Sequence, residues 1–295
     1  MKQQANYEEL FATLEAQGVH VSAEYRRKIQ TRMNGVLAHE PTIGVFGKTG
    51  AGKSSLCNAI FGREICEISD VAACTRSPKE VIVGIGDKGL KLLDVPGVGE
   101  SSERDKEYQE LYRELLPRLD LVLWVLKGDD RAFSSDEEFY HGLVKPELQA
   151  GKPFFIVLNQ IDKIEPFREW DETERRPGVR QASNIEEKRR NVAGFFDLPL
   201  DQVIAVSANE RFGLVELVDA IVHALPDDQK LNVLREVKEE NRSNAAKKEA
   251  EEGFVKTLID VVVDLVPHIP QVAKAAAKQI LKSASEWKVW PWNWF

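Results

Sequence analysis

The sequence predicts an α/β fold, a doubly wound and mostly parallel sheet of six strands covered by helices. Six short apolar runs alternate with helical segments from residue 42 onward: TIGVFG, EVIVGI, LKLLDVPG, LDLVLWVLK, PFFIVLNQID and QVIAVSA. Runs that are apolar on both faces and separated by helices are typical of a parallel sheet that is buried on both sides. The turn GDKG at residues 86–89 joins the second and third runs, which predicts one antiparallel edge strand.

Changes in composition predict three segments along the chain. Residues 1–40 form an N-terminal helical segment, since Tyr7, Leu10, Phe11 and Leu14, and then Tyr25, Ile29, Met33 and Leu37, recur at helical spacing. Residues 41–225 form the α/β domain. Residues 226–295 form a C-terminal helical extension with a Trp-rich end, and its first part is expected to be a charge-laced helix with little apolar face.

The net charge and the cysteine content indicate which binding partners and which cellular compartment to expect. The formal net charge of −8 and a pI near 5.4 disfavour, without excluding, nucleic acid or the ribosome as a partner, because domains that bind polyphosphate backbones are usually basic. The three cysteines form no C-x-x-C pair, which indicates a reducing cytoplasm. We expect no signal peptide, since the first residues lack a basic patch followed by an apolar run, and no membrane-spanning segment, since no window approaches the roughly 20 apolar residues that a span requires.

The stretch GVFGKTGAGKSSL predicts a phosphate-binding loop. Gly47, Gly52, Lys53 and Ser54 satisfy the pattern G-x-x-x-x-G-K-S/T between an apolar strand and a helix, which is the P-loop of nucleotide triphosphatases. Main-chain amides and the helix N-terminus would form an anion cup, Lys53 would contact the β- and γ-phosphates, and Ser54 would bind Mg²⁺. The residues predicted to contact the nucleotide here are Gly47, Lys48, Thr49, Gly50, Ala51, Gly52, Lys53, Ser54 and Ser55.

Two further motifs predict elements that respond to the γ-phosphate. Asp94 and Gly97 form D-x-x-G, which predicts a Mg²⁺ contact for Asp94 and a γ-phosphate contact for Gly97; the alternative is a capping aspartate before a proline turn. Thr75 is the candidate hydroxyl ligand of Mg²⁺ in the intervening loop, unless it is an ordinary solvated threonine. Lys53, Thr75 and Gly97 are therefore the candidate catalytic residues. Val98 occupies the position of the water-orienting glutamine, so we expect slow intrinsic hydrolysis.

The stretch VLNQID predicts which base is bound. The Asp162 carboxylate can accept hydrogen bonds from N1–H and the 2-amino group of guanine, and adenine offers neither donor. Asn159 belongs to the same N-K-x-D pattern, in which Gln160 replaces the lysine and keeps hydrogen-bonding capacity without the charge. Ser207 and Ala208 follow the last apolar run, where a backbone N–H would meet the guanine carbonyl oxygen. GTP and GDP are therefore the predicted ligands, with Mg²⁺.

In order and spacing, these motifs resemble those of the Era-like GTPases of the TrmE-Era-EngA-septin superfamily over residues 40–225. The stretches GKTGAGKSSLCNAIF, SDVAACTRSP, DVPGVGES and PRLDLVLWVLK, with the aromatic C-terminus, are similar to the prophage-borne YfjP-type GTPases of bacteria. The resemblance implies a GTP-dependent switch and a sheet order of 2-3-1-4-5-6. Members that use potassium carry an asparagine where this chain has Gly50, which argues against potassium dependence.

The sequence of the C-terminal extension does not decide which surface its apolar residues contact. Phe254, Leu258 and Val262 lie on an apolar stripe, and the chain closes on Trp287, Trp290, Trp292 and Trp294. Such a stripe suits packing on the α/β domain, homodimer formation, or peripheral contact with the inner membrane, where indoles prefer the headgroup level. The functional hypotheses are therefore a GTP-hydrolysing switch, a membrane-associated assembly GTPase that dimerises with nucleotide, and a ribosome- or RNA-associated GTPase.

Overall fold

The computed structural model describes residues 7–8, 11–12, 15–16, 20–62, 81–85, 90–94, 110, 112–131, 133–148 and 151–266. Their contacts divide into two compact units. The α/β unit comprises the described parts of residues 40–225 together with 236–243. The helical unit comprises the described parts of residues 1–39, 226–235 and 244–295.

In the described part of the α/β unit, six strands form one sheet in the order β2-β3-β1-β4-β5-β6. The strands are β1 (Thr42–Phe46), β2 (Val81–Ile85), β3 (Leu90–Asp94), β4 (Leu121–Lys127), β5 (Phe154–Asn159) and β6 (Val203–Ala205). Strand β2 pairs antiparallel with β3, and every other pairing is parallel. The predicted fold class, strand order and antiparallel edge strand are confirmed.

The helices of the α/β unit follow the strands as a doubly wound fold requires. Where the structure describes this unit, the helices with defined bounds are α2 (Lys53–Phe61), α3 (Ser134–Phe139), α4 (Lys145–Leu148), α5 (Val179–Phe196) and α6 (Leu214–Ala224); α1 (Ala23–Ala38) lies earlier in the chain. A π-helical turn, Tyr140–Val144, joins α3 to α4. The charged stretch after β5 contains two 3₁₀ turns, Ile161–Lys163 and Phe167–Glu169, and becomes helical from residue 179.

The core of the α/β unit places aromatic side chains beside the start of the phosphate-binding loop. Trp124 on β4 is fully buried, and its ring centroid lies 6.0 Å from that of Phe46 and 5.7 Å from that of Phe139. Tyr112 closes the group, with its ring 4.7 Å from both Phe46 and Phe139. Because Phe46 immediately precedes Gly47, this cluster gives the loop a rigid base.

The helical unit is built from α1 (Ala23–Ala38), α7 (Asp227–Leu234) and α8 (Asn244–Leu265). One hydrophobic cluster joins them; its members include Tyr7, Phe11, Ile29, Met33, Leu37, Leu231, Phe254, Leu258, Val262 and Val266. The first part of the apolar C-terminal stripe is therefore used in internal packing. The Trp-rich end, at residues 267–295, lies outside the described residues. Within the described residues, no helix is long and apolar enough to cross a bilayer.

The prediction of one charge-laced helix with little apolar face after residue 226 is wrong in two respects. The chain forms two helices, α7 and α8, and α7 buries Leu231, Val233 and Leu234. Between the helices, residues 236–243 belong to the α/β unit and contain a 3₁₀ turn, Glu239–Asn241. Tertiary hydrogen bonds of this segment, described below, override the local preference for a continuous helix.

Candidate functional site

The loop between β1 and α2 has the backbone that a phosphate cradle requires. Gly47, Gly50 and Gly52 adopt positive φ angles of 140°, 83° and 86°. A Cβ atom at Gly47 would lie 2.2 Å from the Val125 carbonyl oxygen, and one at Gly52 would lie 2.5 Å from the Asn159 amide nitrogen. Glycine is therefore required at residues 47 and 52 by close approach as well as by conformation.

The start of α2 supplies donors of the kind that bind phosphate. The helix begins at Lys53 and its N-cap is Gly52, so no side chain caps its first amides, including those of Ser54 and Ser55. The Lys53 ammonium donates to the carbonyl oxygens of Gly47 at 2.9 Å and Lys48 at 3.4 Å, which holds it across the loop. The Ser54 hydroxyl, the Lys53 ammonium and the amides at the helix N-terminus together fit a Mg²⁺–phosphate ligand.

Asn159 connects the phosphate-binding loop with the predicted base-binding segment. It ends β5 and is only 1% exposed. Its amide nitrogen donates to the carbonyl oxygens of Ala51 at 2.9 Å and Gly52 at 3.4 Å, and its amide oxygen accepts from the Ala208 N–H at 3.1 Å. One buried side chain therefore fixes the two loops relative to each other.

Gln160 makes a second bond to the phosphate-binding loop. Its backbone is left-handed, with a φ of 61°, and its amide nitrogen donates to the Gly50 carbonyl oxygen at 2.8 Å. Its amide oxygen accepts from the Lys163 ammonium at 2.7 Å. The glutamine thus reaches the loop backbone without an ammonium group of its own.

The Asp162 carboxylate lies in an open pocket of about 580 Å³ lined by Asp162, Lys163, Phe167, Trp170, Glu172 and Glu210. Its Oδ1 accepts from the Ser207 hydroxyl at 2.6 Å. Ser207 also exchanges backbone hydrogen bonds with Phe212, which closes the loop after β6. These contacts fix one carboxylate oxygen and the orientation of the side chain toward the pocket.

The structure brings together the predicted residues 47–55, Asn159, Gln160, Asp162, Ser207 and Ala208 in the α/β unit. Asp94 ends β3, and its backbone lies in register with Val45, two residues before Gly47. Thr75, Gly97 and Val98 lie outside the described residues, so their roles stay predictions.

Two polar residues beside the site are absent from the sequence predictions. Asp136 on α3 is 1% exposed, and its carboxylate lies 2.6 Å from the Lys48 ammonium. Burial raises the pKa of the Asp136 carboxyl, while Lys48 and Trp124 oppose the rise. In the stretch SSDEEF, Asp136 stands beside two glutamates and the sequence alone suggests an exposed acidic residue. The sequence therefore gives no indication that Asp136 is buried beside the phosphate-binding loop.

Gln181 is fully buried on α5 and donates to the carbonyl oxygens of Asp162 at 3.0 Å and Ile164 at 2.9 Å. It supports the backbone of the segment that carries Asp162. A signal exists here, because Gln181 is a polar residue on the buried stripe of Ile185, Val192 and Phe196.

Comparison with known proteins identifies the family. The sequence model of the 50S ribosome-binding GTPase family matches residues 42–160. YkfA of Escherichia coli strain K12, an uncharacterized protein, is 38% identical over 86% of this chain and 86% of its own length. YfjP of the same organism is 39% identical over 83% of both chains. The GTPase Era of Aquifex aeolicus is 27% identical over 64% of this chain and 58% of its own.

YkfA and YfjP are 38% and 39% identical to this chain over more than four fifths of each protein's length. The part of the chain that matches the GTPase family model includes the phosphate-binding loop. The chain belongs to the YfjP- and YkfA-type group of Era-like GTPases, a family of GTP-binding proteins.

Proposed function

We propose that this protein binds GTP with Mg²⁺, hydrolyses it slowly to GDP and phosphate, and acts as a nucleotide-dependent molecular switch. The observation that carries the proposal is the position of Asn159. Its amide contacts the phosphate-binding loop at Ala51 and the loop after β6 at Ala208, so the cup and the base-recognition segment form one arrangement. Such a rigid frame suits a ligand with a phosphate at one end and a purine at the other.

Selection of guanine follows from the chemistry of Asp162. One carboxylate oxygen accepts from Ser207, and both oxygens retain lone pairs for N1–H and the 2-amino group of guanine. Adenine lacks both donors, so a bound adenine would leave the carboxylate without a hydrogen-bond donor from the base. A site that strands a charged acceptor discriminates strongly against the wrong ligand.

Hydrolysis depends mainly on electrostatic stabilisation of the transferred phosphoryl group. Lys53 would contact the β- and γ-phosphates, with the amides at the start of α2 around them. Ser54, Thr75 and Asp94 would hold Mg²⁺, which supplies positive charge to the phosphate oxygens when bound. Thr75 and Gly97 would sense the γ-phosphate. Val98 cannot orient a water molecule, which is the basis for expecting a slow intrinsic rate.

The substitution Asp162→Asn tests the proposal. Two hydrogen bonds to a charged acceptor contribute about 1.5–3 kcal/mol each, so we expect GDP to bind at least about a hundredfold more weakly. The amide can instead accept from N1–H and donate to the 2-carbonyl group of xanthine, so the variant should prefer XDP. Titration calorimetry with GDP and XDP in magnesium buffer measures both effects.

The matched control is Asp201→Asn, which neutralises an exposed carboxylate of the same unit outside the site and should leave GDP affinity unchanged. Equal binding of GDP by wild type and Asp162→Asn would contradict the assigned role of Asp162. Absence of GDP binding by the wild type would contradict the proposal as a whole.

A further inference from the structure

The Asp136 carboxylate is a buried charge placed directly beside the phosphate-binding loop. Its Oδ1 accepts from the Trp124 indole N–H at 3.3 Å, and its Oδ2 lies 2.6 Å from the Lys48 ammonium. The Asp136 side chain is 1% exposed, whereas that of Lys48 is 34% exposed. Lys48 therefore reaches from the loop toward the protein interior and meets a fixed anion there.

The backbone of Lys48 is part of the loop that would hold the phosphates. Its carbonyl oxygen accepts from the Ala51 N–H at 3.1 Å and from the Lys53 ammonium at 3.4 Å. A displacement of Lys48 would consequently disturb both the turn of the loop and the Lys53 ammonium, which would contact the phosphates.

The loop is thus held from two directions. Asn159 and Gln160 bind its second half at Ala51, Gly52 and Gly50. On the other side, Gly47 lies against the Val125 carbonyl, and Lys48 is paired with Asp136. The support behind Asp136 is rigid, because Trp124 is fully buried between Phe46 and Phe139.

Stability alone does not explain this ion pair. Burial disfavours the ionised carboxylate, and replacing a buried ion pair by neutral groups of similar volume is often harmless or stabilising. A buried charge that contributes little to stability but fixes a loop in one position is better explained by preorganisation of a binding site.

We propose that Asp136 is a positioning residue for nucleotide binding, which acts through Lys48 to hold the first half of the phosphate-binding loop in its ligand-receiving shape. The inference rests on the proposed function, since it names a residue that prepares the same site. Asp136 itself would not touch the nucleotide.

The experiment is a double-mutant cycle on the full chain with Asp136→Asn, Lys48→Met and the double variant. Dissociation constants for fluorescent GDP and thermal midpoints without nucleotide are measured for each. We expect Asp136→Asn to weaken GDP binding about ten- to a hundredfold, the range for a lost bond to a charged group. Its thermal midpoint should not fall, because the residue left unpaired, Lys48, can reach solvent.

Lys48→Met should weaken binding to a similar extent and lower the thermal midpoint, since it leaves the buried carboxylate without its cation. The double variant should bind no more weakly than either single variant, because both changes break one interaction. Glu138→Gln, an exposed carboxylate on the same helix, is the matched control and should match the wild type.

GDP binding by Asp136→Asn within twofold of the wild type would overturn the inference, as would additive effects in the double variant. Loss of folding in both Asp136→Asn and the double variant would also overturn it, because the pair would then support the fold and not the loop. Each of these three results, with GDP binding by the wild type intact, leaves the proposed function standing.

Discussion

At the residue scale, Gln160 shows how the base-recognition motif can lose a charge and keep its contact with the loop. The sequence predicts that glutamine retains hydrogen bonding where a lysine is usual. The structure shows the bond, from the Gln160 amide to the Gly50 carbonyl oxygen. It also shows that Lys163 brings an ammonium to the amide oxygen of Gln160, a contact with no sequence motif to indicate it.

The substitution Gln160→Ala removes the bond to Gly50. A neutral hydrogen bond contributes about 0.5–1.5 kcal/mol, so GDP affinity should fall about two- to tenfold if the bond steadies the loop. Titration calorimetry measures the change. Lys163→Ala is the control, because it leaves the bond between Gln160 and Gly50 in place and should have the smaller effect. The reverse ranking would show that the ammonium, and not the amide, matters.

At the scale of elements, the helix that follows the phosphate-binding loop is capped by a distant segment. The Asn241 amide donates to the Ala59 carbonyl oxygen at 2.8 Å, and the Lys238 N–H donates to that of Ile60 at 2.8 Å. These carbonyls belong to the last turn of α2, which has no intrahelical donors for them. Gly62 ends the helix in the left-handed conformation.

Asn241→Ala therefore leaves the Ala59 carbonyl group of α2 without this donor, whereas that of Ile60 keeps the Lys238 N–H. Asn241 is 5% exposed, so we expect the free energy of unfolding to fall by about 1–2 kcal/mol. Urea unfolding without nucleotide measures the loss. The matched control is Asn184→Ala, which removes an exposed amide–carbonyl bond to Glu165 that water can replace. A loss no larger than that of the control would show that water satisfies the Ala59 carbonyl as well as Asn241 does.

The same element shows what local sequence can and cannot predict. The strands were predictable, because β4 and β5 are buried along nearly their whole length and read as continuous apolar runs. The interruption between α7 and α8 was not, since the charged residues 236–243 favour a helix locally. Their conformation is set by bonds to α2, some 180 positions earlier in the chain.

At the scale of the whole molecule, the alternating apolar runs predicted the fold class, and the ordered motifs carried the family resemblance, which in turn implied the strand order. The supporting residues were harder to predict: Asp136 has no signal in the sequence, and Gln181 has only its position on the buried stripe of α5. Asp136 and Gln181 contribute through burial and through partners on other elements, and neither feature has a short pattern. Sequence thus identifies the groups facing the ligand better than those that hold them in place.

The most basic prediction for this molecule is that a cup at residues 47–54 binds nucleotide phosphates and that one carboxylate, that of Asp162, selects guanine. Calorimetric titration of the full chain with GDP and with ADP, in the same magnesium buffer, tests it most directly. We expect saturable binding of GDP and at least about a hundredfold weaker binding of ADP, because the site is built around hydrogen bonds to one base. Equal affinity for the two nucleotides, or no binding of GDP, would contradict it.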